Sequence, residues 1–313
     1  MLSEMDTKSR QTALSASTAQ LSNFSPASDG ERIAVLLVGH GTRDQRGQQE
    51  FTELVARLSR ARPDLLVGGG YLEIAQPSIG AAVDELVARG ATQLVAIPLL
   101  LLAAGHAKQD VPEALELAGR QHPRLTMRLA GHLGLHPSLL QLSRRRRLAS
   151  RPIGFDSGSD SLHPPTWGEV AVDAGQNADE RVLLVVGRGS GDHAAQAELR
   201  EFARLSGELC GERHVRTCFL AMARPSLDER IAELEQSRYR RIVVQPHILF
   251  QGDLLERVQT RIRVAAESDR QRTWYLAEHL GPEDELLDTI LARGAEVLTG
   301  LLPGLLPATT TYL

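Results

Sequence analysis

The chain repeats itself. VGHGTRD (Val38–Asp44) returns as VGRGSGD (Val186–Asp192), an offset of 186 − 38 = 148. YLEIAQPSI (Tyr71–Ile79) returns as FLAMARPSL (Phe219–Leu227) and LVAIPLLL (Leu94–Leu101) as IVVQPHIL (Ile242–Leu249), again with 219 − 71 = 148 and 242 − 94 = 148. AGHLG (Ala130–Gly134) returns as AEHLG (Ala277–Gly281), with 277 − 130 = 147. Four segments in one order at nearly one offset mean a duplicated domain, the unit being far longer than that of a solenoid. A chain of 313 residues also fits two domains at roughly 150 residues each.

Each copy alternates strand and helix. In the first, Ile33–Val38 is a buried apolar strand, Gly39–Asp44 a turn, and Gln45–Arg60 a helix with Phe51, Leu54, Val55 and Leu58 at helical spacing. Leu65–Leu72 and Gln93–Leu100 read as strands, with a helix between them from Pro77 to the stop at Gly90. Val111–Arg120 is helical, Leu125–Leu129 a fourth strand and Pro137–Leu148 a last helix. Fully apolar strands alternating with helices predict an α/β fold, a parallel sheet covered on both faces, twice over. The expected division is a disordered tail (1–30), a first lobe (31–149), a linker or insertion rich in Gly, Ser, Asp and Pro (150–180), a second lobe (181–301) and a tail (302–313).

Composition excludes several function classes. Net charge is −4, so no general attraction to polyanions is expected, and 4% aromatic residues leave no stacking surface for nucleic acid. The run Arg144–Arg147 reads as a solvated helix end, favourable at a helix C-terminus. The longest apolar run, Ile97–Ala104, is far short of the ~20 residues a membrane-spanning helix needs. No signal peptide is seen, and Cys210 and Cys218 form no CxxC pair, so a reducing, cytoplasmic setting without thiolate metal chemistry is expected.

In an open parallel sheet, ligands bind beyond the carboxyl ends of the strands. His40, Glu73 and His106 follow strands one, two and three of the first copy. Singly, each fits a structural or rim residue. Together they make an incomplete ligand set for cobalt, iron, nickel or zinc. Gly39 and Gly41 permit a tight turn, Thr42 is expected to cap the next helix, and Arg43, Arg46 and Lys108 add positive charge. The second copy is an internal control: it has Arg188 for His40, Ala221 for Glu73 and Leu254 for His106, while the glycines and prolines persist. That is the pattern of a retired metal site. GHGT lacks the GxGxxG and Walker patterns, and Ser190 is misplaced for a nucleophile elbow. His132 and His279 match across the copies and read as structural; His136 is expected to cap a helix or touch the cleft. His247 has no evident partner, and Ser78 and Ser226 belong to turns.

LLVGHGTRD, YLEIAQPSI, VAIPLLLLAAGHAKQDVP and LGLHP, in that order, resemble the class II chelatases of tetrapyrrole biosynthesis, in the long two-repeat form of the CbiX-type sirohydrochlorin cobaltochelatases and their ferrochelatase relatives. The resemblance covers about Ile33–Leu148 and, in degenerate form, Val182–Leu291. It implies two flavodoxin-like, chelatase-like lobes facing a cleft, and insertion of Co(II) or Fe(II) into sirohydrochlorin with release of two protons. It places the metal-binding and catalytic roles on His40, His106 and Glu73. Sirohydrochlorin carries many carboxylates, and Arg43, Lys108, the backbone amides at Gly41 and Thr42 and, across the cleft, Arg188 are the groups expected to hold them. The expected partners are a tetrapyrrole and a divalent metal, with no nucleic acid or membrane, in a monomer or weak homo-oligomer. No permanently bound cofactor is expected, because the metal passes through as substrate; the histidine-rich stretch or cysteine-bound cluster of some members has no counterpart here. Cobalt is the first choice of metal and iron the alternative, since His and Glu accept both. A non-catalytic metal or tetrapyrrole carrier and a metal-free regulatory module are the rival readings.

Overall fold

The computed structural model describes residues 31–103, 109–154, 165–172 and 178–298. The expected tails, at 1–30 and 302–313, lie outside the described residues, as do His106 and Lys108. The first lobe holds β1 (Ile33–Gly39), α1 (Gln45–Ala61), β2 (Leu66–Tyr71), α2 (Ile79–Ala88), β3 (Gln93–Pro98), α3 (Asp110–Gln121), β4 (Thr126–Leu129) and α4 (Pro137–Leu148). A short helix α5 (Trp167–Val172) precedes the second lobe. That lobe holds β5 (Arg181–Gly187), α6 (His193–Glu208), β6 (Val215–Phe219), α7 (Leu227–Glu235), β7 (Arg241–His247), α8 (Asp253–Ser268), β8 (Thr273–Leu276) and α9 (Asp284–Leu298).

All strand pairs are parallel, in the orders β2-β1-β3-β4 and β6-β5-β7-β8. This is the flavodoxin-like winding, with the order reversing at β1 and β3, so ligands belong at the carboxyl end of β1. Strands β1 and β5 are buried at every residue, as central strands covered on both faces must be. The α/β duplication read from the sequence is therefore what the chain builds.

Packing does not follow chain order. Helix α9 of the second lobe lies against α1, β3 and α4 of the first, and α4 lies against α6 and β7 of the second. One hydrophobic core runs through both lobes, including Leu37, Ile97 and Leu142 from the first and Val185, Phe202 and Ile290 from the second. The outer face of each sheet has its own cluster.

One expectation is corrected here. The Arg144–Arg147 run is only in part a solvated helix end: Arg144 and Arg145 are exposed, but Arg146 and Arg147 are drawn in against the second lobe. Arg145 pairs with Glu283 at 2.9 Å and Glu285 at 2.7 Å, and Arg146 with Glu278 and Glu283. Arg147 is fully buried and donates to Ser206 Oγ at 2.5 Å, to the Ser206 carbonyl at 2.6 Å and to Cys210 Sγ at 3.0 Å. Local composition marks a basic run; only the crossing of α4 onto the second lobe reveals its partners. Within the segment 150–180, expected as a linker or insertion, one described residue anchors the chain. Trp167 is fully buried, stacks edge-on against Tyr275, and donates its indole N–H to Glu212 at 2.8 Å. Burial pushes the Glu212 carboxyl above its usual range, against that hydrogen bond and the nearby Arg181 and Arg147.

Candidate active site

The site begins where β1 stops. His40 follows Gly39, whose Cα pairs with Tyr71 of β2. A side chain on Gly39 would meet the Phe51 ring at 2.9 Å, so glycine lets helix α1 close on the strand end. Gly41 has φ +104°, and a Cβ there would sit 1.8 Å from the Glu73 carbonyl oxygen. That residue must be glycine on both counts. The Glu73 N–H donates to the His40 carbonyl at 3.1 Å, and the Leu72 N–H to Gly39 at 2.9 Å. The β1 and β2 exits are thus tied together by their backbones, and their side chains meet: His40 Nε2 lies 3.2 Å from Glu73 Oε1. The imidazole is 24% exposed and the carboxylate 49%, open enough to receive an ion. No group of three or more potential His, Cys, Asp or Glu ligands occurs among the described residues. The two sequence candidates that can be placed do come together.

The turn differs from expectation in its cap. Thr42 does not cap α1. Asp44 does, accepting from the Arg46 N–H at 2.9 Å, while Thr42 Oγ1 accepts from the Asp44 N–H at 3.1 Å. Ser190 and Asp192 repeat this arrangement ahead of α6. A carboxylate already on the helix N-terminus removes that dipole as an anion site. Arg46 is committed as well, folding onto Asp44 at 2.6 Å and pairing with Glu256. The Arg46 side chain holds the Asp44 carboxyl below the usual carboxylate range. Arg43 and Arg188, in contrast, are exposed and make no ion pair among the described residues.

A cavity of about 870 Å³ opens between the lobes, within the size range of small-molecule sites. His40, Gly41, Thr42 and Arg43 border it from the first lobe, Arg188 and Ser190 from the second. Its floor is apolar, with Leu99, Leu101, Ile248 and Phe250. A smaller cavity of about 430 Å³ in the second lobe, bordered by Asp228, Glu256 and Arg261, contains none of the candidate ligands.

The second lobe reproduces the backbone without the ligands. Gly189 has φ +93°, a Cβ on it would lie 1.8 Å from the Ala221 carbonyl, and the Ala221 N–H donates to Arg188 at 2.9 Å.

Sequence reasoning missed how the lobes are joined beside the cleft. Glu50 on α1 accepts from the Gln251 N–H at 2.7 Å and meets His279 at 2.9 Å. Glu198 on α6 accepts from the Ala103 N–H at 3.1 Å and meets His132 at 2.6 Å. The two sets are related by the duplication, and each carboxylate clamps two loops of the opposite lobe. The structural reading of His132 and His279 agrees with this. The signal was available, since Glu50 and Glu198 differ by the repeat offset, 198 − 50 = 148. Burial pushes the Glu198 carboxyl up, but the hydrogen bond and charge of His132 carry it below its usual range. His136 caps α4, its Nδ1 accepting from Ser138, and burial with the nearby Arg293 lowers its pKa to about 4. His247 is 4% exposed, its ring tilted against that of Phe202 with centroids 4.2 Å apart, and neither ring nitrogen finds a hydrogen-bond partner among the described residues. Burial lowers its pKa to about 3. Ser78 and Ser226 are the N-caps of α2 and α7.

Fold and site together define a two-lobed, doubly wound α/β protein whose interlobe cleft carries, among the described residues, an imidazole–carboxylate pair at the carboxyl end of the central strand of the first lobe and none at the matching place in the second. The sequence model of the CbiX family matches residues 34–149 and again 182–297, and the chain belongs to that family. It is 27% identical over 268 residues to a sirohydrochlorin cobaltochelatase of Priestia megaterium, across 85% of this chain and 80% of that one. It is 28% identical over 253 residues to a sirohydrochlorin ferrochelatase of the same organism, across 81% and 86% of the two chains. Its fold matches the structure of SirB from Bacillus subtilis with Fe3+, with a TM-score of 0.69 at 24% identity, over 85% of this chain and 95% of that one. No helix among the described residues is long and apolar enough to cross a membrane.

Proposed function

We propose that this protein is a sirohydrochlorin chelatase, a lyase that inserts Co(II) into the macrocycle as two pyrrole protons leave. The observation that carries the reading is the contact of His40 with Glu73, 3.2 Å apart at the cleft edge, set against the same backbone bearing Arg188 and Ala221 in the second lobe. Two donors of borderline and hard character capture a divalent cation yet leave most of its coordination positions open. An ion held that loosely can be passed to four ring nitrogens. His106, which the family resemblance makes the second imidazole, completes the set. As the metal enters, the two pyrrole protons pass in turn to an imidazole and on through Glu73 to solvent.

The cleft suits the other half of the substrate. Arg43 and Arg188 reach it from opposite lobes without ion-pair partners among the described residues, and guanidinium groups are apt binders of carboxylates. Gly41, Thr42 and Lys108 are assigned with them to the substrate perimeter. Fe(II) is the alternative metal substrate, supported by the 28% identity to a ferrochelatase beside the 27% to a cobaltochelatase.

The test follows the visible spectrum of sirohydrochlorin mixed with purified protein and Co(II) or Fe(II). We expect His40→Ala, His106→Ala and Glu73→Ala each to slow insertion by about 10²-fold or more, while His279→Ala keeps the wild-type rate. Equal rates in all four variants would remove the site assignment. Binding of both substrates without turnover would favour a carrier.

A further inference from the structure

The residue after Glu73 is held in an unusual conformation. Ile74 has φ +70°, and across it the Ala75 N–H donates to the Glu73 carbonyl at 2.7 Å. This is a γ-turn of the positive-φ form, which is rare and strained. A β-branched residue at such a φ is an outlier, since chains ordinarily put Gly or Asn there. The turn cannot relax alone. The Glu73 carbonyl is wedged over Gly41, the Glu73 N–H is bonded to His40, and the Tyr71 N–H is bonded to the Pro77 carbonyl.

Nothing among the described residues compensates this conformation by burial. Ile74 is 56% exposed, one of few large apolar residues left uncovered among the described residues, and it borders the interlobe cavity. Met222, at the matching turn of the second lobe, has φ +56° and is 64% exposed, but it does not border the cavity. Strain of this kind gathers at ligand clamps, where the surrounding structure imposes it.

We propose that Ile74 is a substrate-contact residue: an apolar finger that lies on the face of the tetrapyrrole, is buried by it, and sets the ring at the level of the His40–Glu73 pair. The inference rests on the sirohydrochlorin reading above. A flat conjugated ring fringed with carboxylates asks for apolar contact on its faces and cations at its perimeter. Ile74 with the apolar floor at Leu99, Leu101 and Phe250 supplies the first, and Arg43 and Arg188 supply the second.

The test measures binding of metal-free sirohydrochlorin by its absorption shift, followed by insertion kinetics with Co(II) and thermal melting of the same proteins. Ile74→Gly and Ile74→Asn both suit a left-handed backbone and both remove the apolar finger. We expect their Kd and KM to rise about tenfold with kcat little changed, while their melting temperature goes up. Ile74→Met, carrying the residue type of the second lobe, keeps the wild-type Kd. Met222→Gly gains stability with no change in binding. An unchanged Kd in Ile74→Gly and Ile74→Asn overturns the proposal. So does a fall in kcat at unchanged KM, which would place the effect on Glu73. A wild-type protein that does not bind sirohydrochlorin overturns the substrate reading and the finger with it, and it does so before any variant is made.

Discussion

His247 shows how one residue can depart from its repeat and mark the physics of the whole cleft. The first lobe has Leu99 at that place, and both residues border the interlobe cavity. An imidazole with neither nitrogen bonded forgoes on the order of 1–3 kcal/mol relative to an apolar residue of similar shape. It also ties stability to pH. The unfolded imidazole titrates near ~6.5, but burial lowers the folded pKa of His247 to about 3 and that of His136 to about 4. As pH falls below ~6.5, the unfolded chain binds protons that the folded chain refuses, so stability present above that pH is lost progressively toward pH 4. The Glu198 carboxylate faces His247 and opposes the shift only in part. Its own depressed pKa adds a loss of stability below its ordinary range. We expect His247→Leu to melt higher than wild type at pH 7 and to lose less stability between pH 6.5 and 4, measured by urea unfolding at each pH. An acid slope identical to that of the wild type would show that His247 takes no part in it.

At the scale of elements, the second lobe is a turn-for-turn copy of the proposed metal site with the candidate ligands replaced. Gly41 and Gly189 stand in the same relation to the following loop, each with a carbonyl 1.8 Å from where a Cβ would lie. The backbone that brings His40 to Glu73 is therefore present around Arg188 and Ala221, and Leu254 opens α8 beside the cleft. Arg188→His, Ala221→Glu and Leu254→His together should raise Co(II) binding from about one to about two ions per chain by calorimetric titration. A stoichiometry that stays at one would mean that backbone likeness is not enough. The same comparison shows which parts of this protein were legible in its sequence. Strands, helices, the parallel sheet and the His40–Glu73 exit edge follow from apolar runs, periodicity and the repeat, because those signals are local or are doubled at one offset. The cap was misread because Thr42 and Asp44 are both good cap residues; which one serves depends on the backbone path of the turn. The strand order depends on contacts between distant segments, for which residue type carries no signal, and the clamps at Glu50 and Glu198 left only the trace of their shared repeat offset. The partners of Arg145, Arg146 and Arg147 were hidden for the same reason.

The molecule as a whole is less divisible than its sequence. Each repeat ends in a helix that packs on the other repeat, α4 against α6 and β7, α9 against α1 and β3. The core between the lobes is shared, so neither repeat buries its inner sheet face alone. Arg147 makes the point in one side chain: its guanidinium is fully buried, and its acceptors are Ser206 and Cys210 of the other repeat. A charge buried without those acceptors costs several kcal/mol. A chain of residues 31–149 keeps α4 and Arg147 but lacks the surface they occupy, and it lacks α9 over β3. It therefore cannot reach this structure as a monomer. The pseudo-twofold relation of the clamps, Glu50 to His279 and Glu198 to His132, offers it one route: a second copy of the same fragment, with Glu50 meeting the partner's His132 in both directions. We expect the fragment either to form a dimer, read by light scattering on a sizing column, or to lack a cooperative melt. The full chain should unfold in one transition whose calorimetric and van't Hoff enthalpies agree. A monomeric fragment with a sharp melt, or two resolved transitions in the full chain, would show the shared core to be less binding than its burial implies.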